Sequence, residues 1–175
     1  MRSHVEAWLL HVFVLALLVV AAVLLQTTVF QSLRVAGVSP NLILVLVVFF
    51  AISNGPRHGA VLGFVGGLVQ DLLSGFYLGM NALSMALTGY IVGLGHHTLF
   101  RESPWIMAVI TFVASLGAET VNYLLLLSLG VTILPGNAFF GVIIPVAVYN
   151  SAVAVLAYRR YYSSSTKGLL RNFTN

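Results

Sequence analysis

The stretch Gly59-Ala60-Val61-Leu62-Gly63-Phe64-Val65-Gly66-Gly67-Leu68-Val69-Gln70-Asp71-Leu72-Leu73-Ser74-Gly75 decides how this chain folds. Gly59, Gly63, Gly67, Asp71 and Gly75 recur every four residues. Residues four apart share one face of a helix. Glycines in that register make a groove in which a second backbone can approach closely, a device of helices in lipid. Gly89 and Gly93 repeat the spacing in the next apolar segment. Two readings stand: the face packs another helix of the same chain, or it docks the helix of a partner.

The rest of the chain sets this helix in a membrane. Hydrophobic residues make up 59% of the 175 residues and charged residues 7%. A soluble domain is about a quarter charged. The mean hydropathy of +1.02 agrees. At ~20 residues per spanning helix, six or seven spans is the ceiling. The expected fold is an all-α integral membrane protein, a compact bundle of six transmembrane helices in one domain over 1–158. The expected spans are 7–30, 40–54, 57–75, 79–100, 104–128 and 137–158, and 159–175 forms a short basic cytoplasmic tail. The apolar run after Arg2 is longer than a signal-peptide core and lacks a clean small-residue cleavage site, so it reads as the first span. Ser39-Pro40 and Ser103-Pro104 each offer an N-cap followed by proline at the first helical position. Asn54-Gly55-Pro56 and Ser74-Gly75-Phe76 read as tight turns. Pro135-Gly136-Asn137 opens the last span, in which Pro145 predicts a kink.

Arginine and lysine positions set the orientation. With six spans, one side carries Arg2, Arg57, Arg101, Arg159, Arg160, Lys167 and Arg171, and the other only Arg34. Both termini are therefore expected in the cytoplasm. The basic tail rests on anionic headgroups, at roughly 1 kcal/mol per side chain, or docks a cytoplasmic protein.

Asp71 and Glu119 are the acids placed within spans, where ionisable groups are costly. Each lies about 15 residues from the cytoplasmic end of its helix, or ~22 Å. Gln26, Gln70, Asn81 and Asn122 reach similar depths, which predicts an outer polar cluster of these six residues. No span supplies an arginine or lysine to pair with the acids; Arg34 is the nearest candidate. The cluster is a hydrogen-bond network, a partner surface or part of a proton or substrate path. A relay across the membrane is incomplete, because the inner half offers only Asn150, Thr88 and Ser84.

Motifs for catalysis are missing. There is no phosphate loop, paired-histidine zinc motif or nucleophile elbow, and no cysteine. Adjacent His96 and His97 read as interfacial side chains pointing in different directions. No catalytic residue, cofactor, metal or nucleic acid is expected.

The segment from Gly63 to Gly75, with its Gly-Phe-x-x-Gly-Leu-x-x-Asp-Leu pattern, resembles the central signature of the rod-shape-determining MreD family. Leu78-Gly79-Met80-Asn81-Ala82-Leu83, Gly89-Tyr90-Ile91-Val92-Gly93, Pro40-Asn41-Leu42-Ile43 and Leu25-Gln26 also look like the family. The match is strong over about 57–95. The resemblance implies a non-enzymatic inner-membrane component of the bacterial cell-elongation machinery. Such proteins act with MreC, a single-span protein with a periplasmic coiled coil, and link MreB filaments to lateral peptidoglycan synthesis with other elongation proteins. It also implies a bundle similar to the substrate-binding subunits of energy-coupling-factor transporters. That likeness supplies the alternative function, a vitamin-binding transporter subunit. Such subunits often carry Ala-x-x-x-Ala in the first helix, whereas here Ala16 is followed by Val20, Ala21 by Leu25 and Ala22 by Gln26. A small proton-coupled carrier is a third class. The glycine faces allow a homodimer as readily as a complex with another chain.

Overall fold

The computed structural model describes residue 26 and residues 38–75, 77–97 and 103–167, with 159–167 as backbone only. The regular elements among these residues are helices: α1 (Leu42–Asn54), α2 (Pro56–Ser74), α3 (Met80–Leu94), α4 (Pro104–Ser128), the single turn α5 (Pro135–Ala138), a wide π turn (Phe139–Ile143) and α6 (Ile144–Lys167). The expected first span, 7–30, lies outside the described residues except for Gln26, which is helical.

Helix α1 is apolar on every side, and such a helix is stable only when surrounded. Ile43, Leu44, Val45, Val47, Val48, Phe49, Ala51 and Ile52 are all buried. One flank of α1 (Ile43, Leu44, Val47) packs with Leu62 of α2, Met85 of α3 and Ala118 of α4. The other (Val45, Val48, Phe49, Ile52) packs with Met107 and Ala114 of α4 and Ala154 and Tyr158 of α6. The bundle is thus a central helix held between an α2–α3 hairpin and an α4–α6 pair.

The breaks follow from backbone chemistry. Gly55 takes φ 90 between α1 and α2, and Pro56 stands at the first position of α2, where its missing N–H removes no bond. Gly75 closes α2 in the left-handed conformation, its N–H bonded to the Asp71 carbonyl. Helix α1 does not begin at Ser39-Pro40, as the sequence suggested. Asn41 is its N-cap, and the Asn41 side chain accepts the Leu44 N–H. A single amide serves this buried start better than serine followed by proline, because Asn41 is itself anchored by a distant partner described below. Ser103 and Pro104 do flank the start of α4, although the Ser103 side chain makes no capping bond.

Pro145 is accommodated by widening the preceding turn. The Ile144 N–H bonds to the Phe139 carbonyl, five residues back. Proline cannot donate, and its ring crowds the carbonyl four residues before it, so the π turn lies directly ahead of Pro145. The last helix continues through Lys167, which makes the start of the tail helical.

Helices Pro104–Ser128 and Pro135–Tyr158 are long and apolar enough to cross a membrane. Those found where spans 40–54 and 79–100 were expected are shorter, at 13 and 15 residues, or roughly 20 and 22 Å. Large apolar side chains cover the outward surface, Phe64, Leu72, Ile91, Val113 and Leu156 among them. Contiguous apolar surface on this scale marks contact with lipid or protein.

Candidate functional site

The glycine face of α2 is filled by α3. A Cβ built on Gly59 would lie 2.5 Å from the Gly89 carbonyl oxygen and 2.6 Å from the Ala51 Cβ. One on Gly89 would strike the Gly59 carbonyl in return. Gly63 faces the Met85 carbonyl, Gly67 faces Asn81 and Ala82, and Gly93 faces Pro56. The two helices therefore run antiparallel with backbone against backbone along the whole hairpin. Gly66, one step round α2, meets Ile43 of α1, with a Cβ there only 2.6 Å from its Cγ2. Of the expected stripe, Gly75 stands apart. It is exposed, with nothing within 4 Å of the point where a Cβ would stand, and its role is the left-handed turn. The four-residue spacing continues through Gly75, but the helix that it describes has ended.

Asp71 closes the seam. Its side chain is 3% exposed and sits where α3 begins. Oδ2 accepts the N–H groups of Gly79 (2.9 Å) and Ala82 (3.2 Å). Oδ1 accepts the Asn81 N–H (3.2 Å) and the Asn81 side-chain amide (2.8 Å). The first N–H groups of a helix have no partner within it. Gly79, the N-cap of α3, has no side chain to offer them. Asp71 supplies from the end of α2 the capping oxygens that α3 lacks. It needs no arginine or lysine, because its four donors are a helix start and an amide.

The clasp extends to α4. The Asn81 Oδ1 accepts the Asn122 amide at 3.1 Å, and Asn122 lies within hydrogen-bonding reach of Glu119. Asp71, Asn81, Asn122 and Glu119 are thus brought together. Gln70 and Gln26 are not joined to this network; their buried Oε1 atoms, like the Asn122 Oδ1, find no partner among the described residues.

A second knot went unrecognised in the sequence. Asn150 of α6 is fully buried. Its Oδ1 accepts the Asn41 N–H at 2.7 Å, and its Nδ2 donates to Ser115 Oγ of α4 at 3.0 Å. It therefore holds the start of α1 across 109 residues of sequence. An asparagine alone in an apolar helix was the available signal; its partner, a backbone amide, leaves no mark in a sequence. Ser84 and Thr88 are engaged in short bonds, Ser84 Oγ donating to the Ala118 carbonyl (2.7 Å) and Thr88 Oγ1 to the Ser84 carbonyl (2.8 Å). The rings of His96 and His97 do not diverge as expected; their centroids lie 3.6 Å apart. Among the described residues no three His, Asp or Glu side chains converge as metal ligands.

No solved structure matches this fold. The family model described as rod shape-determining protein MreD matches residues 6–160. The match runs through the α2–α3 hairpin, Asp71 and Asn150 and covers most of the chain, which belongs to the MreD family of rod shape-determining membrane proteins.

Proposed function

We propose that this protein is a non-enzymatic scaffold of the bacterial cell-elongation machinery, binding MreC and coupling MreB filaments to lateral peptidoglycan synthesis. It is a multi-pass protein of the inner membrane with both termini in the cytoplasm, so the Asp71 end of the bundle faces outward. The family match over 6–160 carries this reading. The polar chemistry of the bundle supports it: Asp71, Asn81 and Asn150 are engaged in fixing helix starts. Because α2 and α3 fill each other's glycine faces, a partner helix meets the outward surface instead. Affinity purification of the full chain from native membranes in mild detergent, with mass spectrometry of proteins and bound small molecules, tests this reading. Recovery of a single-span coiled-coil protein with wall-synthesis enzymes is expected. Recovery of an ATPase module, or of a vitamin in equal amount, overturns it in favour of a transporter subunit.

A further inference from the structure

The outer wall of the α2–α3 hairpin has one charged edge. Among its exposed side chains, α2 presents Val61, Phe64, Val65, Leu72 and Leu73 between its two ends. Helix α3 presents Leu83, Leu87, Tyr90, Ile91 and Leu94. At the Pro56 end Arg57, His58 and His97 are exposed. The seam holds these two helix ends side by side. Gly93 packs on Pro56, and the His96 ring, packed against His97, lies 3.4 Å from a Cβ position on Gly55. Arg57 lies four and seven residues before Val61 and Phe64, so it shares their face of α2. His97 stands three residues beyond Leu94. The opposite end of the wall is uncharged: Ser74 and Tyr77 are exposed there, and Asp71 is buried.

We propose that this wall is a binding site for an anionic phospholipid. The headgroup sits among Arg57, His58 and His97, and the acyl chains lie along Val61, Phe64, Leu83 and Leu87, which the seam sets at one level. The dimensions fit. One leaflet contributes about 15 Å of hydrocarbon, the rise of roughly ten helical residues. That distance runs from the basic edge to just past Phe64. The seam makes the wall rigid, since backbone contact between α2 and α3 leaves no freedom for the two helices to part. The positive charge comes from the protein and the negative charge from the lipid, so the site discriminates headgroups by charge rather than by chain.

The proposal rests on the reading that the chain spans a bilayer, and the experiment separates the two. The full chain is reconstituted in dioleoylphosphatidylcholine vesicles containing brominated phosphatidylglycerol or brominated phosphatidylcholine at equal mole fraction. Tryptophan reporters are placed at Phe64→Trp or Leu73→Trp, with Trp8 and Trp105 replaced by phenylalanine; the Trp8→Phe protein supplies Trp105, which is exposed, as a bilayer control. Phosphatidylglycerol is expected to associate about fivefold more strongly than phosphatidylcholine at Phe64→Trp, the effect of one basic side chain at a membrane surface. Arg57→Gln should bring the ratio near one, and high salt should reduce it. Leu73→Trp, roughly 24 Å from Arg57, should show no preference. Equal quenching by both lipids at Phe64→Trp overturns the site and leaves the bilayer reading intact. Quenching of Trp105 but of neither reporter overturns the site because protein covers the wall. Absence of quenching at all three positions overturns the bilayer reading itself.

Discussion

Replacing Asp71 with asparagine changes one oxygen to an amino group and leaves the shape almost unchanged. The effect should nevertheless be large. Each carboxylate oxygen accepts two hydrogen bonds, Oδ2 from Gly79 and Ala82 and Oδ1 from Asn81 twice. Whichever way the new amide turns, its NH2 group faces two donors as they stand, and at least one of them is a backbone N–H that cannot turn to accept. Two bonds at the average found for side chains in membranes amount to ~1 kcal/mol. Two bonds to a charged acceptor amount to ~3–6 kcal/mol. The affected donors include helix-start amides with no side chain at Gly79 to replace the lost oxygen, and loss of a cap alone costs ~1–2 kcal/mol. About 3 kcal/mol is expected, or roughly a hundredfold in the folding equilibrium. Reversible unfolding of the full chain in bicelles measures the total, and hydrogen exchange at Gly79, Asn81 and Ala82 measures the cause. A loss below ~0.5 kcal/mol, the range of an ordinary surface substitution, would refute the clasp. Unchanged protection at those three amides would refute it even if stability fell.

Other substitutions separate the glycines by role. Gly63→Leu should prevent folding, because any side chain there enters the Met85 carbonyl, and the protein should be lost from membranes by quantitative blotting. Gly117→Ala should do the opposite, since the site is open and alanine favours a helix by ~0.8–1 kcal/mol; a higher midpoint of unfolding checks this. Asn150→Leu leaves the Asn41 N–H without its acceptor and should cost ~1–3 kcal/mol by the same unfolding assay. Thr111→Val should be neutral or stabilising, because the buried hydroxyl has no partner among the described residues. Glu119→Gln should be tolerated, whereas Glu119→Lys should abolish accumulation of the folded protein in membranes.

The seam was legible in the sequence because close packing requires glycine, and glycine at four-residue spacing can be seen. Its register against α3 was not, since the partner atoms at Gly63 and Gly67 are backbone groups of Met85, Asn81 and Ala82. The same limit hid the two knots. Asp71, Asn81, Glu119 and Asn122 could be placed at one depth by counting residues. That Asp71 caps a helix depends on Gly79 having no side chain at the start of α3. The start of α1 was misplaced because Ser39-Pro40 satisfies the local rule for a helix start, whereas the actual cap is settled by Asn150 far along the chain. Local rules found Pro104 at the first position of its helix and placed Pro56 and Pro135 in the turns just before spans 57–75 and 137–158; each of the three begins a helix.

The two knots have a common electrostatic basis. Gly66 meets Ile43 while Gly67 meets Asn81, so the first turns of α1 and α3 stand at one level and point the same way. Each helix start carries roughly half a positive charge; that of α1 is buried at Pro40 and Asn41, and that of α3 is half-buried at Gly79, Met80 and Asn81. The two acids of the described helices gather at this level. Asp71 is bonded to the start of α3. Glu119 lies one turn beyond Ser115, which holds the Asn150 that binds the start of α1. In lipid an acid needs a partner, and here Asp71 finds it in the start of α3 and Glu119 in the Asn122 amide, in place of an arginine or lysine. That is why a lysine at position 119 should be far more damaging than a glutamine: it would set a cation at the level of both positive helix starts and take the acceptor from the Asn122 amide.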